Sequence, residues 1–414
     1  MSCRMSPLRF AILIVVVVPL AGSEWAAADD PLPPAAEARR LSSEEIAAGW
    51  ISLFDGETLF GWQANNDPES GGVNWSVRDG VIAADRGEQG LLVTTVPFAD
   101  YELRCDYRLA EGGNSGIFLR TTFRPIDAAR DCYELNMCDS HPEFPTGSLV
   151  GRRKIGTELD GEGAWKTFHV RCEGPRIAVR FEGREVLDFT DDTPALRLAG
   201  SIGLQKNVGR IEFRNVFLRP LGTRAIFTGK DLSGWREVPG SKSEFKVVDG
   251  VIHVTRGPGF LETTGTWSDL VLQGEARTNG KHLNSGIFFR AMPGTEAAPS
   301  NGYEFQIHNG FRDGDRTKPV DAGTGAIFRR QAARRVVGND GEWVALTLVA
   351  HGPRIATWVN GYQVCDWEDD RPPDENPRRG RRLEAGHISL QGHDPTTDLD
   401  FRKLRVAAFP PSGD

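Results

Sequence analysis

Short runs of alternating apolar and polar residues, separated by turn residues, follow one another along most of this chain. In YEFQIH (303–308) the odd positions are apolar and the even ones polar, the period of a β-strand. Glu304, Gln306 and His308 are therefore predicted to share one face. No segment keeps a 3.6-residue period over three turns, and only residues 42–50 suggest a single helical turn. About ten such strands in each 170 residues predict an all-β two-sheet sandwich or jelly roll.

The same motifs occur twice, in the same order. GGNSGIFLR (112–120) corresponds to HLNSGIFFR (282–290), an offset of 170 residues. AGSIGLQ begins at 199 and its counterpart AGHISLQ begins at 385, an offset of 186. Offsets grow in this way when insertions collect in surface loops. We infer a tandem duplication of one domain.

The N-terminus has the three parts of an export signal within residues 1–28. Two arginines precede the apolar run FAILIVVVVPL, and three alanines follow before the first aspartate. The run is shorter than the roughly 18 residues that span a bilayer. We expect cleavage of this segment, a linker at 29–48, domains at 49–221 and 222–410, and a periplasmic or secreted protein.

Composition narrows the class of protein. Lys and Arg number 49 against 57 Asp and Glu, a formal charge of −8, so no nucleic acid or anionic membrane partner is indicated. The chain has no Walker loop, dinucleotide fingerprint, HExxH, CxxC or GxSxG motif. The strand at 303–308 also lacks the paired carboxylates of a retaining glycosidase.

Export permits disulfide bonds. Cys105 and Cys172 align with Gly274 and Ala350 in the second copy. Both cysteines are thus absent there together, as the loss of a paired bridge would leave them. We predict a Cys105–Cys172 disulfide.

Glu304 and its counterpart Glu134 are the leading candidates for a general base. A carboxyl group on a concave, partly apolar sheet face has a raised pKa, which suits proton transfer. Alternation places Arg290 on the face of Glu304 if their strands are neighbours. The alternative is that each carboxylate forms a structural pair with an arginine, Arg290 in the second copy and Arg120 in the first.

His393 is the second candidate, as an acid, a base or a metal ligand, and the alternative is an exposed loop histidine. The first copy has Asn207 at this position and Cys138 at the position of His308. Weaker candidates for the edge of a cleft are turn residues that also suit the start of a strand: Asn114, Ser115, Asn284, Ser285, Thr146 and Thr324. The arginine pairs of the later loops, including Arg378–Arg379, are interpreted as solvated.

These motifs, LFDG…L.GW, NSGIFLR and NSGIFFR, YE.Q, TG and G.I.LQ…FRN, resemble the 3-keto-disaccharide hydrolase family. That family is also described as a 3-keto-glucoside 1,2-lyase and 3-keto-2-hydroxyglucal hydratase domain. The resemblance spans both copies. It implies two concanavalin A-like lectin/glucanase jelly rolls, and a carbohydrate substrate already oxidised at C3.

The resemblance also implies roles for the candidates. A C3 ketone acidifies the C2 proton, so that a base removes it, the C1 aglycone leaves by β-elimination and water adds back. Glu304 would be the base, with Arg290 or a divalent ion at the enolate oxygen, Gln306 orienting the substrate and His393 as acid or metal ligand. The first copy departs from this pattern at Asn136 and Asn207, which puts its catalysis in doubt. The alternative function is a non-catalytic, lectin-like protein that binds glycans through the same faces.

Overall fold

The computed structural model describes residues 39–66 and 71–411. The predicted export signal (1–28) lies outside the described residues, as does the linker up to residue 38. Within the described part of the chain, no helix combines the length and apolar character needed to cross a membrane.

The described residues form two short helices and 28 strands. The first part of the chain contains α1 (Ser43–Ala47), β1 (Ile51–Ser52), β2 (Trp62–Ala64), β3 (Ser76–Arg78), β4 (Val81–Ala84), β5 (Gly90–Thr94), β6 (Tyr101–Leu109), β7 (Ser115–Thr121), α2 (Ala128–Asp131), β8 (Tyr133–Met137), β9 (Lys166–Glu173), β10 (Arg176–Phe181), β11 (Arg184–Thr190), β12 (Ser201–Lys206) and β13 (Ile211–Pro220).

The second part of the chain repeats this series of strands with one added hairpin. It contains β14 (Arg224–Ala225), β15 (Trp235–Glu237), β16 (Glu244–Val248), β17 (Val251–Thr255), β18 (Gly259–Thr263), β19 (Leu270–Thr278), β20 (Ser285–Ala291), β21 (Tyr303–Ile307), β22 (Phe311–Arg312), β23 (Asp315–Pro319), β24 (Val344–His351), β25 (Arg354–Val359), β26 (Tyr362–Glu368), β27 (His387–Gly392) and β28 (Asp398–Ala408).

The helical turn predicted at 42–50 is confirmed as α1. Ser42 and Glu45 form a capping box, in which each side chain accepts a hydrogen bond from the backbone N–H of the other. This satisfies two donors that the first turn of a helix leaves unpaired.

Each repeat folds into a sandwich of an eight-stranded and a five-stranded antiparallel sheet. In the first sandwich the sheets have the orders β11-β10-β9-β6-β13-β4-β3, with β1 also on β13, and β2-β5-β12-β7-β8. In the second they have the orders β26-β25-β24-β19-β28-β17-β16, with β14 also on β28, and β15-β18-β27-β20-β21. The two orders correspond strand for strand, which confirms the prediction of two tandem jelly-roll sandwiches.

The core lies between the two sheets of each sandwich. On β21 the odd positions Tyr303, Phe305 and Ile307 are at most 3% exposed and belong to the core of the second sandwich. Glu304 and Gln306 lie on the opposite face of the sheet, yet they are also buried. Loops therefore cover this outer face, and a polar site lies beneath them.

The two sandwiches share part of their cores. Trp358 on β25 is 1% exposed and packs into the core of the first sandwich, where its ring lies 6.4 Å from that of Phe98. Its Nε1 donates to the backbone oxygen of Ser52, at 2.9 Å. Asp55 of the first sandwich also pairs with Arg334 of the second, at 2.8 Å.

The predicted Cys105–Cys172 disulfide is wrong. Both cysteines are free and buried. In the antiparallel register of β6 and β9, Cys105 lies opposite Phe168 while Cys172 lies opposite Tyr101. The cysteines are four residues apart along the ladder, roughly 13 Å, which is beyond the reach of a disulfide.

Candidate functional site

Glu304 lies on β21, the edge strand of the five-stranded sheet, opposite Phe288 of β20. Its side chain folds over Gly286, where an added Cβ would lie only 2.8 Å from Cγ of Glu304. A glycine at this position therefore makes room for the carboxyl group against the sheet. Glu304 is 4% exposed.

The cation that pairs directly with Glu304 is Arg378, which belongs to the loop between β26 and β27. Nη2 of Arg378 lies 3.0 Å from Oε2 of Glu304, and its guanidinium lies over the ring of Phe288. Burial raises the pKa of Glu304, while Arg378 and, next, a charged His393 lower it; the net direction is upward. The result is a shielded carboxyl group with increased basicity.

The outer face of this sheet presents two rows of residues around Glu304. One row runs from Ser389 through Phe288 to Glu304, and the next from Gln391 through Gly286 to Gln306. Three buried polar atoms in these rows have no hydrogen-bond partner among the described residues. They are Oγ of Ser389, Oε1 of Gln391 and Oε1 of Gln306. Buried polar atoms are rarely left unpaired, so these atoms suit a ligand rich in hydroxyl groups.

Gln306 is fixed by a polar network at the sheet edge. Its Nε2 donates to Oδ1 of Asn284 at 3.3 Å and to Oδ2 of Asp321 at 3.1 Å, and the amide of Asn284 also donates to Asp321. The orientation of its Oε1 is therefore set before any ligand arrives. Of the predicted site residues, the structure brings Glu304, Gln306 and Asn284 together on β21 and the turn before β20.

Arg290 is not part of this face, which corrects the expectation from strand alternation. It has a φ of 46°, and the register of β20 against β27 shifts between Phe288 and Ala291. This bulge turns the side chain inward, where Arg290 is 1% exposed. Its guanidinium donates four hydrogen bonds, to the backbone oxygens of Ser268, Gly352 and Arg382 and to the carboxylate of Asp269.

Several of the predicted turn residues are structural. Ser285 is fully buried and donates to the backbone oxygen of Gln391, which ties β20 to β27. Thr324 accepts from the backbone N–H of His308 and donates to Oδ1 of Asn309. Burial lowers the pKa of His308, and its Nδ1 accepts from a backbone N–H, so it is a neutral anchor of this loop.

His393 lies at the end of β27 with 41% of its side chain exposed, and its Nδ1 lies 2.8 Å from Oδ2 of Asp394. No group of three or more His, Cys, Asp or Glu side chains is arranged to hold a metal ion within residues 39–66 and 71–411. Since Glu304 is already paired with Arg378, the two donors proposed for a divalent ion do not form a ligand set. The residues present therefore do not fit a metal, and we derive no step through one.

Within the described part of the first sandwich, no cation pairs with the equivalent carboxyl group, that of Glu134. Burial raises the pKa of Glu134 to about 7, and Gln205 donates a hydrogen bond to it, with Nε2 3.3 Å from Oε1. Gln205 also has a buried Oε1 without a partner. Asn136 is held by a hydrogen bond from its Nδ2 to the backbone oxygen of Phe144.

The other predicted residues of the first sandwich are structural. Arg120, like Arg290, has a positive φ of 49° and is fully buried. It donates to three backbone oxygens and to Asp100. Ser115 donates to the backbone oxygen of Gln205, as Ser285 does at the equivalent place. Asn114 forms a backbone bridge with Val208.

Both sandwiches match a family described as 3-keto-alpha-glucoside-1,2-lyase-like domain, at residues 49–219 and 222–407. The chain belongs to this family. A 3-keto-disaccharide hydrolase from Bacteroides thetaiotaomicron is 29% identical over 139 residues, which cover 29% of this chain and 48% of the relative. The chain thus matches about half the length of that relative.

Solved structures give further similarities to single sandwiches. A proposed glycosyl hydrolase from Parabacteroides distasonis is 20% identical with a TM-score of 0.39, and covers 45% of this chain and 100% of its own. A second one from the same organism is 27% identical with a TM-score of 0.35, covering 42% and 99%. A carbohydrate-binding module from Bacillus subtilis is 18% identical with a TM-score of 0.31, covering 38% and 95%.

Arg378 is the residue of this family member that sequence reasoning missed, because its loop was interpreted as solvated. In the first copy the hydroxyl of Tyr133 accepts from the backbone N–H of Arg197 and donates to Asp191. In the second copy the hydroxyl of Tyr303 accepts from the backbone N–H of Arg382 and donates to Asp369. The loop between these two tyrosine partners has five residues in the first copy (192–196) and twelve in the second (370–381). The sequence does show that this loop is longer in the second copy, because the offset between matching motifs grows from 178 to 186 residues after residue 367.

The longer loop closes a cavity of about 280 Å³ beside Glu304. Its lining includes Arg329, Arg330 and Arg378. A larger cavity of about 450 Å³ lies between the two sandwiches near α1, but none of the predicted site residues lines it. The candidate site therefore comprises the smaller cavity and the sheet face beside it.

Proposed function

We propose that this chain cleaves 3-keto-glycosides by β-elimination followed by hydration, a net hydrolysis. The observation that carries the proposal is the buried carboxyl group of Glu304, with its raised pKa, paired with a cation on a sheet face that has three unpaired polar atoms. Membership of the 3-keto-alpha-glucoside-1,2-lyase-like family supports it.

In the first step Glu304 takes the proton from C2 of the substrate. The C3 ketone delocalises the electron pair of the C–H bond as an enolate, and Arg378 stabilises the charge on its oxygen. The electrons then form the C1=C2 double bond while the C1–O bond breaks, and the aglycone leaves with that electron pair and takes up a proton. We assign this proton to His393, which lies on the solvent side of the face.

In the second step water adds across the C1=C2 bond: its hydroxyl goes to C1, its released proton goes to His393, and the proton held by Glu304 returns to C2. This restores the base. Gln306 and Gln391 hold sugar hydroxyls through their unpaired oxygens. Arg378 takes the role that the sequence had suggested for Arg290, because Arg290 is committed to the fold.

The test is the release of aglycone from a 3-keto-glucoside by wild type, Glu304→Gln and the matched variant Glu134→Gln. We expect Glu304→Gln to lose about 10²–10⁴-fold in rate, the usual contribution of a general base. Glu134→Gln should retain most activity, since Glu134 has no cation beside it to stabilise the enolate. Equal losses in both variants would contradict the assignment to the second sandwich.

The second candidate function is a lectin-like protein without catalysis. The observation that favours it is the ion pair of Glu304 with Arg378, which offers unpaired polar atoms to a sugar while holding the carboxylate in place. Binding of the 3-keto-glucoside without aglycone release by wild type would establish this function and exclude the lyase.

We also propose that the protein is exported and acts in the periplasm or outside the cell. The support is the sequence of residues 1–28, with its basic, apolar and small-residue parts. Sequencing the N-terminus of the mature protein from a periplasmic or culture fraction tests it. A mature chain beginning at Met1 in the cytoplasm would be incompatible with export.

A further inference from the structure

The longer loop of the second sandwich changes the surroundings of Arg330. In the first sandwich its counterpart Arg152 forms a buried ion pair with Asp191, with Nη1 2.6 Å from Oδ2. In the second sandwich the equivalent Asp369 is paired instead with Arg371 of the longer loop, through two hydrogen bonds of 2.8 Å. Arg330 is thus released from the structural role of its counterpart.

Arg330 lines the cavity beside Glu304 together with Arg329 and Arg378. Its Nη2 donates to the backbone oxygen of Arg378, at 2.7 Å, and Nη2 of Arg378 pairs with Glu304. The remaining guanidinium nitrogens of these three arginines donate to no acceptor among the described residues. Several charged N–H groups therefore remain for a ligand.

The charge of the cavity is unbalanced. Three arginines face a single carboxylate, that of Glu304. Burial and, next, the charge of Arg371 lower the pKa of Arg330, and the charge of Arg378 acts in the same direction. An anion in the cavity would relieve this repulsion.

The described residues of the first sandwich form no such cluster at the equivalent place. It has Gly151 at the position of Arg329, and Arg152 is used by Asp191. Its shorter loop has no counterpart of Arg378. The basic cavity is therefore specific to the second copy. Its longer loop supplies Arg378 to the cavity, and Arg371 of the same loop replaces Arg330 as the partner of Asp369.

We propose that this cavity is a subsite for an anionic group on the sugar, a carboxylate as in a uronic acid or a sulfate ester. Guanidinium groups bind both by paired, charge-assisted hydrogen bonds. The inference rests on the proposed function in one respect, that the sugar lies on the face of Glu304. It adds the substrate class, an acidic glycoside in the second copy.

The test is direct binding of three unoxidised sugars, a methyl glucoside, a methyl glucuronide and a methyl glucoside 6-sulfate, by calorimetry at low salt. We expect at least one acidic sugar to bind about tenfold tighter than the neutral one, and the tighter of the two identifies the anion. Arg330→Ala and Arg329→Ala should each remove most of this preference. Arg329 is exposed, so the second variant folds even if the first does not.

Arg379→Ala is the matched control. Arg379 lies next to Arg378 in the loop between β26 and β27, with 70% of its side chain exposed, and does not line the cavity. It removes the same charge and should change the affinities less than about twofold. Equal binding of all three sugars, no binding of either acidic sugar, or an equal loss in the Arg379 variant would overturn the subsite. A retained acidic preference without aglycone release would instead reject the proposed function alone.

Discussion

Two equivalent carboxyl groups in this chain, those of Glu134 and Glu304, differ in their hydrogen-bond partners. Each lies on the edge strand of a five-stranded sheet with its side chain over a glycine of the neighbouring strand, Glu304 buried and Glu134 half-buried. Burial raises the pKa of each, but among the residues that the structure describes an arginine lies within hydrogen-bonding distance of Glu304 alone. The two copies thus allow the effect of a neighbouring cation on a carboxyl group with a raised pKa to be measured within one protein.

Glu134→Gln should make stability less dependent on pH. Because the pKa of Glu134 is raised from 4.5 to about 7, the folded protein holds a proton in this window that the unfolded chain loses, and stability falls as pH rises through it. The neutral glutamine has no such loss. Urea unfolding at pH 5 and pH 8 should show the variant gaining about 2 kcal/mol over wild type between the two.

Glu304→Gln is the control for this measurement. Its gain should be smaller, since Arg378 already stabilises the ionised carboxylate in the folded protein. If the difference between Glu134→Gln and wild type is the same at both pH values, Glu134 is not a buried acid with a raised pKa.

Arg378→Ala should shift the pH dependence of activity. Removing the cation raises the pKa of Glu304 further, so that the base becomes ionised only at higher pH. We expect the acidic limb of kcat/KM for a 3-keto-glucoside to move to higher pH and kcat to fall. Arg379→Ala should leave the limb in place, and an unmoved limb in Arg378→Ala would show that this arginine does not control Glu304.

Strand alternation placed Glu304 and Gln306 on one face, where the structure has them. The same reasoning failed for Arg290, because a bulge of one residue reverses the side-chain direction and leaves no mark in the pattern of apolar residues. Arg378 could not be placed either, since loops have no period from which a side-chain direction follows. Local alternation predicts a sheet face, whereas a bulge and a loop decide which side chains complete it.

At the level of elements, the bulges at Arg120 and Arg290 tie the end of one sheet to loops of the other. Each inserts a buried guanidinium with four hydrogen bonds. Arg290→Ala should lower the free energy of unfolding by about 3–5 kcal/mol, because three backbone oxygens and Asp269 lose their donor. Urea unfolding measures this, and a stable variant with reduced activity alone would instead support the catalytic role first suggested for Arg290.

The loop between β26 and β27 can be exchanged for its shorter counterpart. Replacing residues 370–381 by the sequence of 192–196 removes both Arg371 and Arg378. We expect the sandwich to fold, with Arg330 taking over the pairing of Asp369 as Arg152 does with Asp191. Circular dichroism checks the fold, and aglycone release should fall at least as far as in Arg378→Ala. Undiminished activity would mean that the loop plays no part in catalysis.

For the whole molecule, the repeat and the strand pattern were enough to predict two similar sandwiches, because sheet formation depends on features that both copies keep. The contact between the sandwiches was not predicted, since it depends on where the copies differ. Trp358 stands at the position of Arg180 in EGPRIAVRFEG. This position of the strand faces away from the core of its own sandwich. The first copy has a charged residue there, whereas the second has Trp358, which packs into the core of the first sandwich.

Trp358→Ala should uncouple the two sandwiches. The indole is 1% exposed, packs near Phe98 and donates to Ser52 across the boundary, so its removal should cost about 3–5 kcal/mol and leave a cavity between the cores. We expect wild type to unfold in one calorimetric transition and this variant in two.

Trp343→Ala is the matched truncation for this experiment. Trp343 is half-buried and stacks with Arg277 and Arg402 of its own sandwich, so its loss should lower the stability of the second sandwich and leave the coupling intact. If both variants unfold in one transition, the sandwiches are held together by their other contacts, such as Asp55 with Arg334. Trp358 would then be only one part of a larger interface, and the duplicated chain would behave as a single cooperative unit without it.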